Sequence, residues 1–384
     1  MTTSHPRPAV SFVLAIDADF QSVSATLARL TVREGDEVVV VVPGTELGER
    51  SFGDTPGLRV IPIERWHASA FDVGVALARN ESVCGFGPAW TADAPWLLGA
   101  EEAAGLGGLV AADGPAVAAL PPYGVFRRSQ YIDAVASPIA RAPRLHLLTI
   151  HLGLRPPERT LYPAVESVLE ARFSWPCKYW IVIQQAPAST VERARALLEG
   201  TEHEIVVFAE NRGVGVPRAF VQEKVADDEL MAILDDDMTI PPGGFDPMYA
   251  TLVTNADVGA IALHSDGLAY NRLLIDEGRL ARHRLPVERP YTRVDHTGYG
   301  CSMMSARGLR AGGFDPAFIT GGVDLDFSLT LREKGLHVLV YNGHHAQHNH
   351  VRTVAYRGER WRKAAIQASH RRIETRWGVK LDKL

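Results

Sequence analysis

The sequence predicts an α/β protein with largely parallel sheets, and three observations predict it. Short continuous apolar runs such as SFVLAI (11–16), EVVVVV (37–42) and RLHLLTI (144–150) read as strands buried on both faces. Stretches of helical periodicity follow them, through Leu27 and Leu30 and over TLYPAVESVLEARF (160–173). The succession also occurs twice. LRVIPI (58–63) closes the first round, and YWIVIQ (179–184) with HEIVVFA (203–209) closes the second.

This repetition suggests two tandem units with a junction near residues 135–143. Unrelated units are the alternative, since any two βαβ stretches look alike at this level. The expected organisation is an α/β unit over 1–140, a second unit over 141–352 and a basic helical segment over 353–384.

A chain of 384 residues with 46% apolar content can bury a large core. The net charge of -5 argues against a general nucleic-acid binder, which needs a basic surface. Cys84, Cys177 and Cys301 have neither paired nor metal-like spacing, which suits reduced core residues. The opening MTTSHPRPAV lacks the layout of a signal peptide, and no apolar run is long enough to span a bilayer. The expectation is a cytoplasmic protein. Peripheral membrane contact is left to the basic tail, where Arg360, Arg362, Lys363, Arg371, Arg372 and Arg376 surround Trp361, Ile366, Ile373 and Trp377. Packing of that helix with a solvated basic face is the simpler reading.

Chemistry concentrates in the second unit. In ELMAILDDDMTIPPGGF (229–245), a buried strand ends at Asp235-Asp236-Asp237, and a Pro-Pro-Gly-Gly run then breaks regular structure. Ligands of open α/β sheets bind beyond the carboxyl ends of strands. Three acids there repel one another unless a cation relieves them, and two carboxylates one residue apart can hold Mg²⁺ or Mn²⁺ against a diphosphate. A solvated acidic turn would give the same string. In the first unit the counterpart GFGPAWTADAPWLL (85–98) offers only Asp93, so a degenerate, non-catalytic copy is expected there.

Downstream, GGVDLDFSLTLREKG (321–335) sets Asp324 and Asp326 behind a Gly-Gly turn at a helix start. Capping explains one of them; a carboxylate on a tight turn can also be a general base. The run GHHAQHNH (343–350) brings His344, His345, His348 and His350 together, and neutral imidazole is a ready metal ligand. A zinc hydrolase would use such histidines too, but no HExxH accompanies them. In AENRGVGVPRAF (209–220), Gly213 and Gly215 allow close backbone approach and Arg218 can reach a phosphate.

In order and spacing, LHLLTI, WIVIQQA, ENRGVGVPRA, LDDDM, GYGCSMMSARGLRAGGFD, GGVDLDFSLTLREKG and HHAQHNH resemble the inverting family 2 glycosyltransferases with a GT-A fold, over residues 143–350. The resemblance implies a Rossmann-like mixed sheet and hexosyl transfer from a UDP-, GDP- or dTDP-sugar, assisted by Mn²⁺ or Mg²⁺. It places Asp235 near the donor's ribose or nucleobase, with Asp236, Gln184, Asn211 and Arg218 as further donor-site residues. Asp237 becomes the metal ligand together with His348 or, failing that, His350. Asp324 becomes the catalytic base and Asp326 the second acid of that motif. The chain departs from the family at Gln184-Gln185, where an acid is usual, and at Val323, where Glu is usual.

Between these motifs, residues 263–300 are rich in arginine and histidine and read as a lid-like connection. Asp295, His296 and Tyr299 are the candidates there for contacting an acceptor of unknown identity. Two rival functions remain. A nucleotidyltransferase would show a Gly-rich loop after its first strand, and HLGLRPPERT lacks one. A catalytically inactive sugar- or protein-binding scaffold would leave the acidic and histidine clusters without a purpose.

Overall fold

The computed structural model describes residues 9–15, 27, 32, 34–43, 55, 57–64, 70–86, 124–127, 142–288, 290–349 and 360–381. The chain divides into two compact units, Met1–Pro143 and Arg144–Leu384.

In the first unit, β1 (Val10–Ala15), β2 (Glu37–Pro43), β3 (Leu58–Ile63), β4 (Ser82–Phe86) and β5 (Gly124–Arg127) form one sheet of order β3-β2-β1-β4-β5. The first four are mutually parallel and β5 is antiparallel to β4. Val38, Val39, Val40 and Val41 are fully buried, each worth about 1.5–3 kcal/mol of apolar transfer. The helix Ala70–Leu77 packs so closely that a Cβ at Gly74 would overlap Val13.

Among the described residues of this sheet, polar contacts gather at the amino ends of the strands. Glu37 accepts from Ser11 Oγ at 2.6 Å, from the Arg79 backbone N–H, and from Arg59 Nη1 at 2.8 Å. Asp36 Oδ1 accepts from the Val10 N–H at 2.9 Å. These buried acids are fully engaged in holding strands together.

The second unit contains β6 (Leu145–Leu152), β7 (Cys177–Gln184), β8 (His203–Phe208), β9 (Leu230–Leu234), β10 (Met238–Thr239), β11 (Val258–Ser265), β12 (Asn271–Asp276), β13 (Arg279–Arg284), β14 (Tyr291–Val294), β15 (Cys301–Met304), β16 (His337–His348) and β17 (Lys380–Leu381). Its main sheet has nine strands in the order β10-β16-β11-β15-β9-β6-β7-β8, with β14 also pairing β16. β6, β7, β8 and β9 are parallel, while β15 runs antiparallel to both β9 and β11. This is the mixed α/β sheet expected from the sequence. The order reverses at β6, with β7 and β8 on one side and β9 on the other, so the crevice beyond β6, β7 and β9 is a topological switch point.

Helices cover the sheet with apolar faces. Leu161 and Val165 pack on Ile181 and Ile183, while Phe327 and Leu331 of the helix Val323–Glu333 join a cluster with Ile233 and Val338. The connection expected as a lid holds the β12–β13 hairpin, which β17 extends to a three-stranded sheet. Cys84 and Cys301 are buried, Cys177 is partly so, and none of the three is in a disulfide. Among the described residues no helix is long and apolar enough to cross a membrane.

Candidate active site

Strand ends and helix starts together build the site. β9 delivers Asp235, Asp236 and Asp237 beyond Leu234, and their environments differ. Asp236 is 4% exposed, with His151 Nδ1 at 2.6 Å from Oδ2 and Arg155 Nη1 at 2.7 Å from Oδ1. Asp237 is met by the same Arg155 Nη1 at 2.8 Å, and His348 Nε2 lies 3.4 Å from its Oδ2. Burial alone would raise the Asp237 carboxyl, but His348 and Arg155 outweigh it and hold the pKa below the ordinary value. The same contact raises the His348 imidazole. Asp235 instead opens to the cleft, its side chain 41% exposed. Desolvation, backed by Asp237, Asp324 and Asp236, overcomes Arg218 and pushes its carboxyl up to about 7.

Gln184, the last residue of β7, was expected at the nucleobase; the structure ties it to the neighbouring loop. Its Nε2 donates to the Gly213 carbonyl at 3.0 Å and its Oε1 accepts from the Arg212 N–H at 2.7 Å. Asn211 Oδ1 accepts from the Gly213 N–H at 2.8 Å. Gly213 has φ 73°, and a Cβ there would overlap the Ile319 backbone. The glycines of this loop thus permit close approach to the segment leading into Asp324, through Val214 N–H to Ile319 O (3.0 Å) and Gly215 N–H to Phe318 O (2.9 Å).

Arg218 links the acids. It is 3% exposed, donates from Nη1 to Asp324 Oδ1 at 2.6 Å, and places Nη2 3.8 Å from Asp235 Oδ1. Its buried Nε has no hydrogen-bond partner. Burial disfavours its charge, yet Asp324 and Asp235 more than compensate and raise its pKa. Asp324 is the second residue of the helix Val323–Glu333, entered through Gly322 at φ 78°. Its other oxygen has no ion pair among the described residues.

Two adjoining clefts meet here, sharing Asp235, Gly321 and Asp324. The first, about 220 Å³, lies over Leu152, Gln184, Asn211 and Arg218. The second, about 450 Å³, is bordered by Arg282, His296, His348 and His370.

Several expected acceptor contacts lie elsewhere. Tyr299 is fully buried, with its hydroxyl 2.9 Å from Ser328 Oγ, so it sits behind the wall of the second cleft. Asp326 is 1% exposed, and Arg376 Nη1 (2.7 Å) and Trp377 Nε1 (2.8 Å) donate to its two oxygens. It anchors the helix Arg360–Trp377. Asp295 accepts from the Leu273 N–H at 2.9 Å. His348 is the last residue of β16, which runs through most of the histidine cluster. His350 lies outside the described residues. Arg155 and His151 were missed: neither stands in a recognisable pattern in HLGLRPPERT until the fold brings them to Asp236 and Asp237.

Among the described residues no three acidic, histidine or cysteine side chains form a closed metal cage. Asp237 and His348 are the two side chains that could hold a divalent ion, with Arg155 Nη1 standing at the same Asp237 oxygen. The 3.4 Å from Asp237 Oδ2 to His348 Nε2 is long for a hydrogen bond and close to the roughly 3 Å between adjacent ligands of a six-coordinate ion. A hard cation keeping open positions for phosphate oxygens and water needs only such a partial set.

No protein-family model matches the chain, and no curated protein matches it. Several solved structures are similar in fold. GalNAc-T7 with UDP, GalNAc and Mn²⁺ gives a TM-score of 0.45 at 14% identity, covering 54% of this chain and 44% of that one. The mannosyltransferase PcManGT from Pyrobaculum calidifontis, in complex with GDP-Man and Mn²⁺, gives 0.42 at 16% identity, covering 61% and 65%. S. aureus TarS 1–349 gives 0.40 at 12% identity, covering 53% and 60%. The chain therefore spans about half to two-thirds of the length of these structures, and likeness of this degree carries no residue-level correspondence.

Proposed function

We propose that residues 144–384 form a GT-A-type glycosyltransferase that moves a sugar from a nucleoside diphosphate to an acceptor hydroxyl with inversion. The observation that carries this reading is the meeting of two clefts at Asp235 and Asp324, at the sheet's switch point, beside the Asp237–His348 pair. One cleft suits a nucleotide and the other an acceptor, and the reacting carbon would lie where they join.

Asp237 and His348 would hold a Mn²⁺ or Mg²⁺ ion. When bound, that ion would neutralise charge growing on the diphosphate leaving group. Arg155 keeps Asp237 charged and fixed, and Arg155 and His151 hold Asp236 in place through its two oxygens. Arg218 steadies Asp324 through Oδ1 and leaves Oδ2 to take the proton of the acceptor hydroxyl as it attacks opposite the leaving group. Attack from that face inverts the anomeric centre without a covalent intermediate.

The first unit repeats the order third-second-first-fourth strand followed by an antiparallel neighbour, which supports reading it as a second, non-catalytic copy of the fold. One observation favours an inactive scaffold instead: Asp324 Oδ1 is already held by the buried Arg218 guanidinium at 2.6 Å. Calorimetric titration of the full chain with UDP, GDP and dTDP, with and without Mn²⁺, tests the donor site. Metal-dependent binding of one nucleotide, lost in Asp237→Ala, is expected. Binding of none would end the transferase reading.

A further inference from the structure

Two cationic partners converge on one oxygen of Asp237. Its Oδ2 receives Arg155 Nη1 at 2.8 Å, and His348 Nε2 lies 3.4 Å from the same atom. An ion shared by Asp237 and His348 would sit about 2 Å from that oxygen, inside the reach of the guanidinium. Two cations so close repel each other where little water screens them, and both side chains of the ion pair are mostly buried. Arg155 and a metal ion therefore compete for Asp237.

The competing groups are mounted differently. Asp237 and His348 are held through the backbone: Met238 pairs with His348 across β10 and β16, and the Asn349 N–H donates to the Asp237 carbonyl at 2.7 Å. Arg155 stands in the turn after β6. Its N–H donates to the Leu152 carbonyl at 3.0 Å, a Cβ at Gly153 would overlap the Gln185 carbonyl, and Pro156-Pro157 follow. The turn is pinned, and only the long side chain reaches across to the acids. Asp236 is its second anchor: Oδ1 accepts from the same Nη1 at 2.7 Å, while His151 Nδ1 lies 2.6 Å from Oδ2. Arg155 can thus give up Asp237 without leaving the acids altogether. It also borders the first cleft with Gln184, Asn211 and Arg218. A guanidinium matches phosphate oxygens with paired hydrogen bonds, so a diphosphate in that cleft can replace Asp237 as its partner.

We infer that Arg155 couples the metal ion to the donor: it covers Asp237 in the chain by itself, and turns to the diphosphate as it hands that carboxylate to the ion. This rests on the transferase reading for the diphosphate, but the competition for Asp237 can be measured with the metal alone. Such coupling is reciprocal, so each ligand raises the affinity of the other by the same factor.

The test uses the full chain. Free Mn²⁺ is read by electron paramagnetic resonance, and UDP, GDP and dTDP are titrated calorimetrically at saturating Mn²⁺. Without nucleotide, Arg155→Gln should bind Mn²⁺ at least about tenfold more tightly than wild type, because the competing charge is gone. At saturating Mn²⁺ the same variant should bind the nucleotide about tenfold more weakly. Adding Asp237→Ala to Arg155→Gln should abolish the gained Mn²⁺ affinity. Arg155→Lys keeps the charge but not the paired bonds, so Mn²⁺ affinity should stay within about threefold of wild type while nucleotide binding weakens. A residue that merely supports Asp237 would weaken both ligands when replaced, and that result overturns the inference. So does an unchanged Mn²⁺ affinity in Arg155→Gln. If circular dichroism shows Arg155→Gln unfolded, Arg155→Lys decides: nucleotide binding unchanged, or lost together with Mn²⁺ binding, overturns the hand-over. Nucleotide bound by neither wild type nor any variant would instead end the transferase reading, and the diphosphate half of the inference with it.

Discussion

Among the described residues, the two sheets share a strand order but hold their acid clusters at opposite strand ends. In the first unit, Glu37 and Asp36 lie at the amino ends of the strands, and Ser11, Arg59, Val10 and Arg79 satisfy them. In the second, Asp235, Asp236, Asp237 and Asp324 gather beyond the carboxyl ends, where desolvation and the neighbouring acids, against Arg218, push the Asp235 carboxyl up to about 7. Acids with several donors each are joinery. Acids gathered around open space, with one of them, Asp235, raised by desolvation and its neighbours, mark a site built for something absent from the chain itself.

The largest expected effect strikes the second sheet. Asp324→Asn keeps the shape of the side chain and removes its basicity, so transfer should fall about 10²- to 10⁴-fold, read by initial rates. Nucleotide affinity, measured calorimetrically, should hold within about twofold. Near-normal turnover would make Asp324 a partner of Arg218 and nothing more.

The matching change in the first sheet should touch stability alone. Glu37→Ala leaves Arg59, 13% exposed, without its carboxylate and should cost about 3–5 kcal/mol in denaturant unfolding. Nucleotide binding should survive. Its loss at temperatures where the variant stays folded would show that the amino-end acids support the site, and the contrast between the sheets would break.

Much of the fold was legible because buried parallel strands are written as continuous apolar runs: EVVVVV and LMAIL sit where expected. The acidic strand end and the Gly-Gly entry to Asp324 were legible for a related reason, since both are local signals. What stayed hidden depended on tertiary contact. Arg155 reaches Asp236 from 81 residues away, and Arg218 reaches Asp324 across 106. Tyr299 and Asp326 look like site residues in the sequence because they flank the motifs, yet helix packing turns both into internal supports. Sequence distance to a motif is a poor guide to which way a side chain faces.

The second sheet should also be the more acid-sensitive through His296. Its pKa falls from 6.5 to about 4 on folding, first by desolvation and then by Arg282. The folded state therefore takes up a proton less readily than the unfolded chain. This contribution is fully present above pH 6.5 and is lost as pH falls towards 4, to a total of about 3 kcal/mol. Unfolding of wild type and His296→Gln across that window checks it: the variant should show a flatter decline. Parallel curves would mean that other groups control the acid limb.

The smallest expected effect concerns the residue where the two kinds of edge meet. Gln184 stands at a carboxyl end, where the family resemblance puts an acid, but its amide is engaged as fully as Glu37 is. Gln184→Glu keeps an acceptor for the Arg212 N–H and loses the donor to the Gly213 carbonyl, so two acceptors then face each other. The cost should be about 1–2 kcal/mol in thermal or denaturant unfolding. The preference among UDP, GDP and dTDP should not move, because Gln184 acts on the loop before it acts on any base. A switch of nucleotide preference at unchanged stability would reverse that order. Gln184 would then belong with Asp235 as a residue aimed at the ligand, and the division between joinery and site would fall within β7 itself.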